Sequence, residues 1–207
     1  MQKRRWWVRV GVTLALLLVL CPSFVRAYRV AGPSDAPSYL WNDLVLVSMT
    51  AYDLNLPFTT RTVISWSAPK AGDMILFKVP GESYIAFKRV VAVPGDKIEM
   101  RDNHVIVNGM PFTYQALHRA DFDWVPAENK LGAIVEMEQG ESFEHYITYT
   151  PNESALASFS TVTVPSDHYF VLGDNRDHSN DSRSFGLVSR DRIHGKLIGI
   201  VSSTARK

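Results

Sequence analysis

The sequence predicts a mainly β chain, and three observations carry that expectation. Its apolar runs are short, they are rich in β-branched and aromatic residues, and Gly, Pro and Asn turns separate them. Beyond the N-terminal apolar run, no segment sustains a helical period. Asp43-Leu-Val-Leu-Val47 and Asp73-Met-Ile-Leu-Phe77 each begin on an acidic residue and continue apolar, as buried strands do. Phe87-Lys-Arg-Val-Val-Ala-Val93 is the next strand, and Pro94-Gly95-Asp96 stops it with a turn. Lys97–Met100 alternates, and Val105–Val107 runs into Asn108-Gly109, a strong turn dipeptide. Glu144–Tyr149, Ser160–Val164 and His168–Leu172 are β-branched and aromatic, and Ile193–Val201 closes the set. The stretch 113–165 is irregular, aromatic and acidic, and reads as a β-rich cap inserted in the same domain.

Ahead of these strands lies a segment of another kind. Lys3, Arg4 and Arg5 precede an apolar run from Trp6 to Val25 that only Arg9 interrupts. About 17 apolar residues suffice to cross a bilayer, and Trp6 and Trp7 suit its interface. The basic cluster places the N-terminus in the cytoplasm and the rest of the chain outside. A cleaved secretory signal is the alternative, because Val25-Arg26-Ala27 carries small or apolar residues at the inspected positions. Both readings export the remainder of the chain. The expected organisation is 1–27 as tip and single-pass anchor and 28–207 as the extracytoplasmic domain.

Composition excludes several function classes. A formal net charge of +1 gives no footprint for nucleic acid. The single Cys21 cannot form an internal disulfide, and no Cys/His spacing offers a zinc site. There is no phosphate-binding Gly loop and no Gly-x-Ser-x-Gly elbow, so neither a cofactor nor a metal is expected. The six histidines are scattered and read better as structural residues than as members of a catalytic triad.

Two segments carry the remaining chemistry. Gly173-Asp-Asn-Arg-Asp-His-Ser-Asn-Asp-Ser-Arg183 reads either as a solvated turn with local side-chain hydrogen bonds or as a loop fixed by internal ion pairs. Lys88-Arg89 sits inside an apolar strand, where neighbours face opposite sides. One of the two then points into the core, unless the strand is an edge and both snorkel. Desolvation disfavours an ammonium, and a neutral amine is a base that can activate a serine without histidine.

These residues resemble the type I signal peptidase family, the bacterial Ser/Lys serine endopeptidases. The Gly173–Arg183 box with Phe185-Gly186 and Gly195-Lys196 is similar to the family's most diagnostic box. Lys88–Asp96 resembles the box of its lysine base, and Gly72-Asp73 with Lys78-Val-Pro80 the strand before it. Ser34-x-x-Pro37-Ser38, leading into Asp43–Val47, resembles the nucleophile box. The resemblance implies a signal-peptidase-like β-sheet or barrel domain that removes signal peptides from exported preproteins at the bilayer, after Ala-x-Ala. It also implies that the membrane is the bacterial cytoplasmic one. It assigns Ser34 as nucleophile, Lys88 as general base and Ser179 as the residue that orients the amine. Asp174 with Arg89, and Asp181 with Arg183, would be supporting ion pairs, and the Ser34 N–H an oxyanion donor. The substrate would bind extended, as an added strand.

Two positions depart from that pattern. Gly32 stands where a serine hydroxyl usually completes the oxyanion hole, and loss of one such donor costs about 3 kcal/mol. Asp35 replaces an apolar Met. A carboxylate beside Lys88 would favour the ammonium and oppose its service as a base, whereas one facing solvent would matter little. An impaired homologue serving as a binding module, or a peptidase dedicated to one exported substrate, are the alternatives.

Overall fold

A computed structural model of the 207-residue chain describes residues 6, 24–55, 62–203 and 205. In chain order the first strands are β1 (Val25–Arg29), β2 (Leu44–Ser48), β3 (Asp53–Asn55), β4 (Thr62–Ser65), β5 (Met74–Lys78) and β6 (Ile85–Ala92). Then come β7 (Lys97–Arg101), β8 (His104–Val107), β9 (Met110–Pro111), β10 (Thr113–Leu117), β11 (Ile134–Gln139) and β12 (Glu144–Tyr149). Last are β13 (Phe159–Thr163), β14 (His168–Leu172), β15 (Val188–Ser189) and β16 (Ile193–Ser202), with one short helix, α1 (Ser182–Phe185), between β14 and β15.

The expected β class holds. The main sheet has seven strands in the order β1-β2-β16-β5-β6-β14-β15. Each of its pairings is antiparallel, and β16 lies between β2 and β5. A four-stranded sheet, β13-β7-β8-β9, and the ribbon β3-β4 flank it. One apolar cluster gathers Ile75, Phe77, Val90, Val171 and Ile193 from four strands of the main sheet. A second joins Val91, Ala92, Phe170 and Leu172 to Ile98, Met100 and Val105 of the four-stranded sheet. Burial of these side chains, at roughly 1.5–3 kcal/mol each, holds the sheets together without a disulfide.

The turns form where the sequence places them. Gly95 has a φ of 94°, and Asn108 and Gly109 have φ of 53° and 79°, the two-residue left-handed pattern of a tight hairpin. The expected 113–165 cap contains a separate three-stranded sheet, β10-β11-β12, while β13 leaves it to pair with β7. At the other end, the expected boundary after Ala27 falls inside β1, because Val25–Arg29 pairs with Leu44–Ser48 across the main sheet. Most of the apolar run from Trp6 to Val25 lies outside the described residues. Among the described residues, no helix is long and apolar enough to cross a membrane.

Candidate active site

The loop from β1 to β2 is closed at its base. Val30 N donates to Asp43 O at 2.9 Å, and Asn42 N returns to Val30 O at 2.9 Å. Asn42 takes the left-handed conformation there, φ 72°, and the buried Asp43 carboxylate accepts from Leu40 N at 2.9 Å. Ala36 and Leu40 pack with Phe122, Val125 and Val135 of the inserted segment. Ser34 sits within this loop, and its carbonyl accepts from Asn175 N at 3.1 Å. The box after β14 therefore grips the backbone of Ser34 directly.

Gly173 explains why that grip is so close. A Cβ on this residue would lie 2.5 Å from Ser34 O and 2.2 Å from Ser179 Oγ, closer than any side chain could be placed. Asp174 and Asn175 continue the contact, since Thr148 N donates to Asp174 O and Arg176 N to Thr148 O, each at 2.9 Å. Asn175 Nδ2 donates to Asn129 O and Lys130 O at 3.1 Å, which ties the inserted segment to the same box.

Lys88, on β6, meets Ser34. Its Nζ lies 2.6 Å from Ser34 Oγ, 2.6 Å from Phe87 O and 3.3 Å from Asp35 Oδ1. Ser34 Oγ donates to Asp35 Oδ2 at 2.9 Å. Lys88 and Asp35 are 3% and 2% exposed, so the pair is buried. Asp35 thus does not face solvent; it contacts the hydroxyl and the amine at once. Burial pushes its carboxyl above the usual range, Lys88 opposes that, and the Asp174 carboxylate adds to it.

The neighbouring Arg89 is also buried, and its guanidinium grips Asp174 through Nε at 2.9 Å and Nη2 at 2.7 Å. Its third contact is Gly72 O at 3.0 Å. Burial pushes the Asp174 carboxyl up, but the Arg89 guanidinium, by its charge and its hydrogen bonds, holds the group below its ordinary value. Asp181 caps α1 through Arg183 N, accepts from Gly173 N at 3.1 Å, and pairs with the Arg183 guanidinium at 2.8 Å. Both expected ion pairs are therefore formed, and the 173–183 box is a fixed loop.

The expected Ser179–Lys88 hydrogen bond is not made. Ser179 Oγ is buried against Gly173, and Asp35 and Phe87 O take the amine's remaining donors. A Cβ on Gly32 would meet nothing within 4 Å, so the space of the absent hydroxyl is open.

Sequence reasoning missed a further buried ion pair, Arg176 with Glu138. Arg176 is 1% exposed, and its Nη2 sits 2.8 and 2.9 Å from the two Glu138 oxygens, while Nη1 donates to Asn103 O. His145 lies between Glu138 and Asp174 at 3.3 and 3.4 Å. Burial, reinforced by Arg89, lowers it to about 4, so it is neutral at pH 7. The acidic alternation of Glu136 and Glu138 along β11 was the available signal, for a strand that buries carboxylates needs cations opposite. Among the described residues, no cluster of His, Cys, Asp and Glu could hold a metal.

Residues 3–201 match the family described as signal peptidase, peptidase S26. A Signal peptidase I of Pseudomonas fluorescens is 30% identical over 202 residues, 90% of this chain and 68% of that protein. One from Aquifex aeolicus is 30% identical over 233 residues, 95% of this chain and 85% of that protein. A signal peptidase I crystal structure from Enterococcus faecalis is 29% identical, covering 65% of this chain and 100% of that chain, at a TM-score of 0.41. The chain belongs to the signal peptidase family, peptidase S26, and is a serine endopeptidase of that kind.

Proposed function

We propose that this chain removes signal peptides from exported preproteins through a Ser34–Lys88 pair. The observation that carries the reading is the 2.6 Å approach of the buried Lys88 Nζ to Ser34 Oγ. With the amine neutral, Lys88 takes the hydroxyl proton as Ser34 Oγ bonds to the scissile carbonyl carbon. The ammonium then protonates the leaving amine as the C–N bond breaks, which leaves an acyl ester on Ser34. Water attacks that ester, its proton passes to Lys88, and Ser34 is regenerated. The Ser34 N–H, which has no acceptor among the described residues, supplies one oxyanion donor.

Arg89–Asp174 and Arg183–Asp181 keep β6 and the 173–183 box in register around the pair. The run ahead of β1 would hold the domain at the bilayer, where preproteins with small residues before the cut emerge. A second reading, an inactive binding homologue, is favoured by the Asp35–Lys88 ion pair, since a carboxylate at 3.3 Å stabilises the ammonium.

One assay separates the two. The purified chain in detergent is incubated with a preprotein bearing an Ala-x-Ala site, beside Ser34→Ala and Lys88→Ala. Cleavage by the parent and not by either variant is expected. A parent that cuts no preprotein would leave the binding reading, and cleavage surviving Lys88→Ala would remove the amine from the mechanism.

A further inference from the structure

We propose that Asp35 is a positioning residue of this site, one carboxylate oxygen holding the Ser34 hydroxyl and the other the Lys88 amine, so that the pair works as a Ser–Asp–Lys unit. The inference rests on the Ser34–Lys88 reading above. Geometry carries it. Asp35 Oδ2 accepts from Ser34 Oγ at 2.9 Å, and Oδ1 accepts from Lys88 Nζ at 3.3 Å, so a single rigid carboxyl spans both reacting atoms. Asp35 is anchored in turn, because its own carbonyl accepts from Tyr39 N at 2.8 Å and the following Ala36 is fully buried. A short side chain on so fixed a backbone has few rotamers, which suits it to hold others in place.

The charges around it decide how it acts. Lys88 and Arg89 face it from β6, and Asp174 from the box after β14. Arg89 is already engaged by Asp174 in a two-point contact, so Lys88 is the cation hydrogen-bonded to Asp35. While Lys88 is an ammonium, it donates to Ser34 Oγ, and the hydroxyl proton turns to Asp35. Once the amine is neutral, the same hydroxyl can donate to Nζ instead, without movement of a heavy atom. The carboxylate thus aligns the hydroxyl and the amine, and its charge lies beside the base that it positions.

The two effects are separable in variants. Asp35→Asn keeps a carbonyl oxygen for Ser34 and removes the charge, whereas Asp35→Ala removes both. The readout is acylation of Ser34 by p-nitrophenyl acetate, followed by mass spectrometry of the full chain in detergent from pH 6 to 10. This reports on the hydroxyl whether or not preproteins are cut. The parent is expected to be acylated at Ser34, and Lys88→Ala about a hundredfold more slowly. Asp35→Ala lowers the high-pH plateau roughly tenfold. Asp35→Asn keeps the oxygen on Ser34 but loses the acceptor for Lys88, so its plateau falls less than that of Asp35→Ala, and with the charge gone the rise in rate moves towards lower pH. A merely structural aspartate would not split in this way.

Identical plateaus and identical profiles in the parent and both variants would overturn the proposal. So would a parent that is not acylated at Ser34, since there would be no reactive pair to position. Ester acylation with the expected split, but no preprotein cleavage, supports Asp35 and instead defeats the proposed substrate.

Discussion

Two glycines beside the pair have opposite surroundings. Gly173 is pressed on the Ser34 carbonyl, and a Cβ there would reach within 2.5 Å of it. Gly173→Ala is therefore expected to displace Ser34 and lower kcat about a hundredfold, the cost of roughly an ångström of misplacement. A thermal melt beside the cleavage assay would show whether activity falls further than stability. Gly32 faces open space, so Gly32→Ser fits without strain. By the family resemblance its hydroxyl adds an oxyanion donor, and kcat should rise about tenfold or more with Tm unchanged. An unchanged kcat in Gly32→Ser would show that the donor is already supplied elsewhere. The identity of these residues was legible in the sequence, but their surroundings were not. Nothing local to Asp35 says that it turns inward, since that depends on Lys88 arriving from a strand 53 residues away.

At the level of elements, local pattern and long-range pairing part company. Glu144–Tyr149 and His168–Leu172 form strands over the expected residues, because their β-branched and aromatic side chains fill a pleated surface. β11 was missed, since Glu136 and Glu138 interrupt its apolar character, and both are buried against partners from elsewhere. β1 was hidden at the end of an apolar run that reads as an anchor, although its residues pair with β2. The bidentate Arg89–Asp174 contact joins β6 to the box after β14, and both partners are buried. Asp174→Asn should cost about 3–5 kcal/mol, because it leaves the Arg89 charge buried with a weakened partner. Urea unfolding followed by tryptophan fluorescence measures this, and a loss below about 1 kcal/mol would mean that water reaches the guanidinium.

The whole molecule should be acid-labile, and the sign comes from its buried groups. Asp174, Glu138 and Asp181 are all held below the ordinary carboxylate value, despite burial that pushes each one up. Their contribution is present above the unfolded carboxyl range and is lost as pH falls through their folded values. His145 acts in the same direction. Its value drops from 6.5 to about 4, so between those limits the unfolded chain binds more protons and stability rises with pH. Over 2.5 units at 1.36 kcal/mol each, that group accounts for about 3 kcal/mol. His145→Gln should flatten the loss of stability from pH 6.5 to 4 by about that amount, as read from urea midpoints at several pH values. Asp35 runs the other way: its raised carboxyl is stabilising only at low pH, and that contribution is lost as pH rises through the folded value.

The order of strands has a consequence for how the pair is put together. Ser34 hangs from β1 and β2, Lys88 from β5 and β6, and the strand between these two blocks is β16. That strand spans Ile193–Ser202, far along the chain from both. Within the main sheet it bridges the two hairpins that carry the hydroxyl and the amine, and the box after β14 joins them a second time. The pair is therefore a property of the assembled sheet and of neither hairpin alone, so an isolated 25–92 fragment should carry both side chains and no reactive serine.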